Sequence, residues 1–414
     1  MKKNMQLKAA CYSMSITMSI VANLPPILFL TFRSLLGLSY SELGLLVLIN
    51  FSTQLVVDLI FSFFSDRFNI TKTIRLMPWL AFVGVLIYAF APFILAENPF
   101  LPLLLGTVIF SAAAGLAEVL LSPIIAALPS DNPERDMSKL HSIYAWGVVG
   151  VVIAATLLLR MIGNENWVFL MALSSFVPLT SAILFAGAEI PVPAQAEKSS
   201  GAFSLLKKSG VWLCAGAIFL GGAAEITMSQ WASGYLEQGL GIPKALGDVF
   251  GAAMFGATLG LGRTLYAKIG KNIMRVLVFG AVGASACYIL AAVTPYPIIG
   301  LFACAFTGFC TSMMWPGSLV VAAERFPSGG VVIYAIMAAA GDLGASVVPQ
   351  LVGWVTDASM ASANIISLAA QLSMSAEQLA MRIALLVGAL FPLAAIFVFY
   401  VLSRKTAKDR KRNI

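Results

Sequence analysis

Charge is scarce in this chain. Only 45 of its 414 residues are Asp, Glu, Lys or Arg, or 11%, while 59% are hydrophobic. Soluble domains carry roughly 25% charged residues. A soluble fold of this length needs far more polar surface than that. The composition therefore excludes a soluble enzyme, a nucleic-acid-binding protein and a disordered chain. Histidine is nearly absent: His141 stands alone, so a multi-histidine metal site is excluded and no metal or cofactor is expected. The five cysteines (Cys11, Cys214, Cys287, Cys304 and Cys310) sit in apolar segments without a CxxC pair, which reads as buried free thiols. No GxxxxGK[ST] motif occurs, which argues against ATP-driven transport within the chain. The lack of HExxH, of a Ser/His/Asp set and of an arginine ladder argues against a membrane protease and a voltage sensor.

What the chain does have is long apolar runs. A membrane span needs about 20 mainly apolar residues. Twelve such segments fall near 9–31, 42–64, 76–95, 99–127, 140–162, 166–186, 210–236, 245–266, 275–293, 296–322, 331–356 and 380–402. The polar stretch 187–208, with Pro191, Pro193, Lys198, Lys207 and Lys208, is the long break in the middle. The expected organisation is an amino-terminal six-helix bundle over 1–186, a cytoplasmic linker over 187–208, a second six-helix bundle over 209–402 and a basic tail over 403–414. With the amino terminus inside, 22 of the 26 Lys and Arg fall on the cytoplasmic side; only Arg33, Arg160, Lys244 and Arg382 fall outside. That bias predicts two cytoplasmic termini, and the net charge of +7 then records topology. The short basic start, Met1 to Lys8, runs into an apolar segment long enough to span, so no cleaved signal peptide is expected.

The two halves look related. Gly115 and Ser122-Pro123 recur 193 residues later as Gly308 and Trp315-Pro316, and Gly147 and Gly150 recur 194 residues later as Gly341 and Gly344. Basic loops follow spans 2 and 8, with Arg67, Lys72 and Arg75 in one and Lys268, Lys271 and Arg275 in the other. Duplicated halves about an axis along the membrane normal are common in one large transporter class. Ser39-x-x-Glu42 reads as a capping box opening span 2. Residues 357–379 permit a short surface helix.

Twelve spans, a central basic linker and Asp66-Arg67 followed by Lys72 and Arg75 resemble the major facilitator superfamily, whose loop between spans 2 and 3 carries G-x-x-x-D-R/K-x-G-R/K-R/K. The leading Gly is absent here, and Asn69 replaces the second Gly. The stretch Gly115 to Pro123, with Glu118, is similar to span 4 of the fucose:proton symporter branch. Leu140 to Gly147, with His141 and Tyr144, is similar to its span 5, and Glu225 with Trp231 and Tyr235 to its span 7. The resemblance implies an all-α membrane protein of twelve transmembrane helices in two pseudo-symmetric six-helix bundles, the major facilitator fold. The branch's span 1 carboxylate is missing: Pro26 stands where it would fall.

Four acidic residues lie well inside spans, where a charge costs about 2.5–3.5 kcal/mol on insertion scales. Glu118 reads as a carboxyl that alternates between protonated and ionised forms, or as a hydrogen-bonded structural residue. Glu225 and Asp342 are further proton-coupling candidates; Asp342 sits between Gly341 and Gly344, so an interhelical hydrogen bond serves equally well. Asp58, Asp66, Arg67 and Arg263 read as gating residues, with Asp58 and Arg263 as possible partners. Asn23, His141, Tyr144, Gln230, Trp231 and Trp315 are candidates for a substrate cavity, although Trp231 and Trp315 also suit packing. Asn23, Pro25 and Pro26 are expected to bend span 1, and Trp315-Pro316 span 10.

The expected function is alternating-access transport of a small polar solute, a sugar by resemblance, imported with a proton across the cell inner membrane by a monomer. The expected partners are that solute, protons and lipid, with no nucleic acid. A proton-driven exporter of drugs or metabolites, and a non-transporting sensor or scaffold, are the alternatives.

Overall fold

The structure is a computed structural model and describes residues 2–64, 67–129, 133–190, 206–269, 272–326 and 330–412. Among the described residues there is helix and no strand. The longer helices are α1 (Lys2–Ile27), α2 (Phe29–Leu36), α3 (Tyr40–Phe64), α4 (Ile70–Ala89), α5 (Phe100–Ala126), α6 (Pro133–Ile162), α7 (Trp167–Ser174) and α8 (Phe176–Ala186). They continue as α9 (Ser209–Gly234), α10 (Met254–Ile269), α11 (Ile273–Val293), α12 (Pro297–Thr311), α13 (Met314–Arg325), α14 (Gly330–Ala361), α15 (Ala363–Gln371) and α16 (Ala376–Arg412). Eleven segments are each long and apolar enough to cross a membrane, and the bent pair α1–α2 makes twelve. Large apolar side chains point outward, among them Phe93, Met161, Phe279 and Phe397. An outer surface of that kind matches hydrocarbon rather than water. The protein is a multi-pass integral membrane protein with an all-α fold.

Breaks in the spans follow from proline chemistry. Pro25 and Pro26 have no N–H to give to the carbonyls one turn earlier. Helix α1 stops at Ile27, and α2 leaves at 50° to it. Pro316 acts in the same way: the α12–α13 break falls at Ser312–Met313, and the ladder resumes with Gly317 N–H donating to Met313 O at 2.8 Å. The sequence also supplies caps. Asn69 opens α4 by accepting from the Lys72 N–H, and Asn272 opens α11 by accepting from the Arg275 N–H. Asn69 thus has a capping role at the position where the superfamily loop usually has Gly.

The chain divides into two compact units. One contains Met1–Leu38 and Ile49–Ala196; the other contains Ser39–Leu48 and Glu197–Ile414. Most of the linker segment 187–208 lies outside the described residues. In the first unit Leu7, Met14, Phe61, Met77, Leu120, Ile124 and Phe185 form a buried cluster. Helices α4 and α5 meet there backbone to backbone. A Cβ on Gly84 would come within 2.6 Å of Phe110 N, and one on Gly106 within 2.8 Å of Gly84 O. Small residues allow such contact where lipid supplies no hydrophobic drive between helices.

In the second unit Ile218, Met274, Leu277, Met314, Met337, Phe399 and Leu402 form the core. Arg382, read from the sequence as one of the few cations on the outer side, is buried in the same unit. Its Nε donates to Gly239 O at 3.3 Å, and its Nη1 donates to Ala292 O at 3.4 Å and Thr294 O at 2.9 Å. A single guanidinium thus closes the end of α11 and the π-turn at Tyr235–Gly239. Cations favour the carbonyl ends of helices because those groups lack partners. The polar stretch after α14 contains the short helix α15.

Candidate functional site

In the first unit the polar side chains gather where α3 meets α5. Asn50, Gln54 and Asp58 recur every four residues along one face of α3. Gln54 Nε2 donates to Asn50 Oδ1 at 3.1 Å, and Ser111 Oγ of α5 donates to the same oxygen at 2.5 Å. All three side chains are buried. One turn further along α5, Gly115 lets the helices touch: a Cβ there would lie 3.1 Å from both Gln54 Cα and Val57 Cβ. The close approach sets Asp58 beside Glu118, near enough for the two carboxylates to act on each other electrostatically. Glu118 is the exposed member of the pair, and Asp58 is half-buried. Asp58 Oδ1 is itself buried and has no hydrogen-bond partner among the described residues.

Asn23 and Tyr144 are linked through Ser19 in the same unit. Asn23 Nδ2 donates to Ser19 O at 3.0 Å, and Ser19 Oγ donates to Tyr144 O at 2.9 Å. The Tyr144 side chain is exposed. His141 lies on α6, but its side chain falls outside the described residues, as does Asp66. Arg67 is exposed, with its guanidinium 5.2 Å from the centre of the Phe64 ring.

In the second unit the central feature is an ion pair. Arg263 Nη2 of α10 lies 3.0 Å from Glu225 Oε1 and 3.3 Å from Oε2 of α9. Its Nε donates to Ser312 O at 3.1 Å. That carbonyl is free because Pro316, four residues on, has no N–H to offer it. The proline thus creates the acceptor, and the arginine ties α9, α10 and the α12–α13 break together. Glu225 is 9% exposed in its side chain and Arg263 is 44% exposed. Nearby, Trp315 packs against Gly222 and Gly341, with ring carbons 2.8 and 2.7 Å from where their Cβ atoms would be. Asp342 and Gln230 are buried. Trp231 is buried too, and its Nε1 donates to Pro349 O at 3.0 Å, so its ring serves packing in this conformation.

The unequal exposure within the ion pair predicts unequal mutant effects. Arg263→Ala strands a nearly buried carboxylate, whereas Glu225→Gln leaves a cation that water can reach. Discounted for that half-exposed partner, the loss for Arg263→Ala is about 2 kcal/mol, with Glu225→Gln well below it. Unfolding in detergent measures both, and the double variant should recover most of the loss. Equal losses for the two single variants would contradict this account of the pair.

The pairing of Asp58 with Glu118, and of Arg263 with Glu225, could not be read from spacing, since each partner lies on a different span. Two local signals were present. The Asn50, Gln54, Asp58 stripe marks a polar face on α3, and Pro316 marks Ser312 as a carbonyl in need of a donor.

Comparison with known proteins gives the same architecture. No curated protein matches this sequence. Among solved structures, a bacterial homologue of the human lysosomal transporter Spinster, inward-facing and unoccupied, shares 16% identity and a TM-score of 0.73, over 99% of this chain and 98% of that one. The nucleoside transporter NupG shares 13% identity and a TM-score of 0.70, over 97% and 99%. A D-xylose-proton symporter shares 15% identity and a TM-score of 0.69, over 94% and 96%. At these identities the likeness is one of fold. The family model of the Major Facilitator Superfamily matches residues 9–349. By that match this membrane transporter, which is not an enzyme, belongs to the major facilitator superfamily.

Proposed function

We propose that the protein imports a small polar solute together with a proton, by alternating access of two six-helix halves over 1–186 and 209–402. The observation that carries the reading is the Asp58–Glu118 pair. Two neighbouring carboxylates repel, and one proton between them removes the repulsion while letting one donate a hydrogen bond to the other. Glu118 is exposed, and Asp58 presents a buried oxygen with no hydrogen-bond partner among the described residues. The pair can therefore share one proton. Glu225, by contrast, is already neutralised by Arg263. We assign that ion pair to holding α9, α10 and the α12–α13 break in register, and not to carrying the proton.

A sugar is the proposed cargo, with Asn23, His141, Tyr144, Gln230 and Trp315 contributing polar and aromatic contacts. The likeness to the fucose:proton symporter branch around Glu118 supports this, as does structural similarity to a D-xylose-proton symporter and a nucleoside transporter. The basic residues support an inner-membrane protein with both termini cytoplasmic. Reconstitution tests the reading: liposomes are loaded at a set internal pH and given radiolabelled D-xylose, L-fucose or uridine outside. Accumulation of one of these only under an inward proton gradient is expected. Gradient-driven expulsion of solute would make the protein an exporter, and no gradient-dependent flux would contradict transport of this kind.

A further inference from the structure

The start of α3 is capped in two ways, one local and one remote. Locally, Ser39 N–H donates to Glu42 Oε2 at 2.8 Å, and Glu42 N–H donates to Ser39 Oγ at 3.1 Å. This is the capping box expected from the sequence. It leaves two of the helix's first amides, those of Tyr40 and Ser41, without a local acceptor. Both are taken by one distant carboxylate. Tyr40 N–H donates to Asp357 Oδ1 at 3.1 Å, and Ser41 N–H donates to Asp357 Oδ2 at 2.6 Å. Asp357 is near the end of α14, more than 300 residues away in sequence.

Three further contacts fasten the same turn. Tyr40 Oη donates to Glu377 Oε1 of α16 at 2.7 Å. Gln350 Nε2 donates to Ser41 O at 3.1 Å. Gly353 brings α14 so close that a Cβ there would collide with Tyr40 O. In consequence residues 39–48 cluster with the second unit, although the rest of α3 clusters with the first. The first turns of α3 thus belong to the second unit together with every group that fastens them.

We propose that Asp357 is the bolt of a latch: it caps α3 in this conformation and lets go when the end of α3 assigned to the outer side opens. The inference rests on the alternating-access reading above. Release would uncover two polar amides, and those amides can be hydrated only where the opening admits water. The bonds Asp357 makes are hydrogen bonds to a helix end, which water can replace, so the closure is reversible. Gln350 and Glu377 secure the same turn from α14 and α16, and Gly353 provides the room.

The test follows labelling rates and needs no transported solute. Leu43 is fully buried in the first turns of α3, and Ser142 is exposed near the start of α6, the end assigned to the cytoplasm. Leu43→Cys and Ser142→Cys are each reacted with a water-soluble maleimide, with and without Asp357→Asn. The unsubstituted chain, whose cysteines are buried apart from half-buried Cys310, sets the background. An Asn offers one acceptor oxygen where Asp357 uses two. Labelling at residue 43 should rise roughly tenfold, and labelling at residue 142 should fall in the same variant, because the outer end opens as the inner end closes. No change at residue 43 overturns the latch. A rise at residue 43 with no fall at residue 142 makes Asp357 a local staple and overturns it equally. Hydrogen exchange at the Tyr40 and Ser41 amides gives a second reading on the folded variant: faster exchange is expected, and unchanged exchange counts against the cap. Failure of the transport reading would show instead as absent solute flux in the unsubstituted protein.

Discussion

Glu118→Gln should abolish proton-driven accumulation while leaving solute exchange intact. The expected size follows from the driving force. One charge moved through 100 mV is worth about 2.3 kcal/mol, and 1.4 kcal/mol is a factor of ten. One proton carried with a neutral solute therefore supports roughly 40-fold accumulation at 100 mV. A glutamine at residue 118 keeps shape and hydrogen bonding but cannot carry the proton, so the ratio should fall to unity. Counterflow, the exchange of labelled for unlabelled solute without a gradient, needs only the conformational change and should persist. Asp58→Asn should act in the same direction, because the proton site is the pair and not either residue. Removing both carboxyls should add little to removing one, as expected of groups that act as a unit. Full accumulation by Glu118→Gln would assign the coupling elsewhere, with Asp342 as the next buried acid to examine.

The second large effect is on stability. Arg382→Met should cost about 3 kcal/mol, since it removes hydrogen bonds from a charged donor and leaves buried carbonyl acceptors unpaired. The carbonyls of Gly239, Ala292 and Thr294 all depend on this one side chain. Arg382→Lys should recover only part of the loss, because an ammonium is a point charge and cannot span acceptors on two separate helix ends. Unfolding in detergent measures both variants. A Lys variant as stable as the parent would mean that charge alone, and not the spread of the guanidinium, closes those ends.

These residues show how far the fold and the site can be read from sequence. The spans were legible because apolar length is a local property, and the bends were legible because a proline's missing N–H is also local. The cap at Ser39–Glu42 was legible for the same reason. The burial of Arg382 was not legible, because a count of basic residues gives only the side of the membrane, and its carbonyl partners lie on two other elements. Asp58 was assigned to a gate on its distance from Asp66-Arg67. Its closeness to Glu118 lies across two spans, where Gly115 lets α5 approach α3. Asp357 was not singled out at all. It is one acid in a polar stretch, and its use appears only when the amides of Tyr40 and Ser41 are accounted for.

The account turns on whether the Asp58–Glu118 pair carries the proton. The most direct measurement is solute-induced proton entry into proteoliposomes, followed with a trapped pH indicator and no imposed gradient. Adding the transported solute outside should acidify the interior in the unsubstituted protein, and should give no pH change with Asp58→Asn or Glu118→Gln although labelled solute still exchanges. Undiminished acidification in both variants would contradict the assignment.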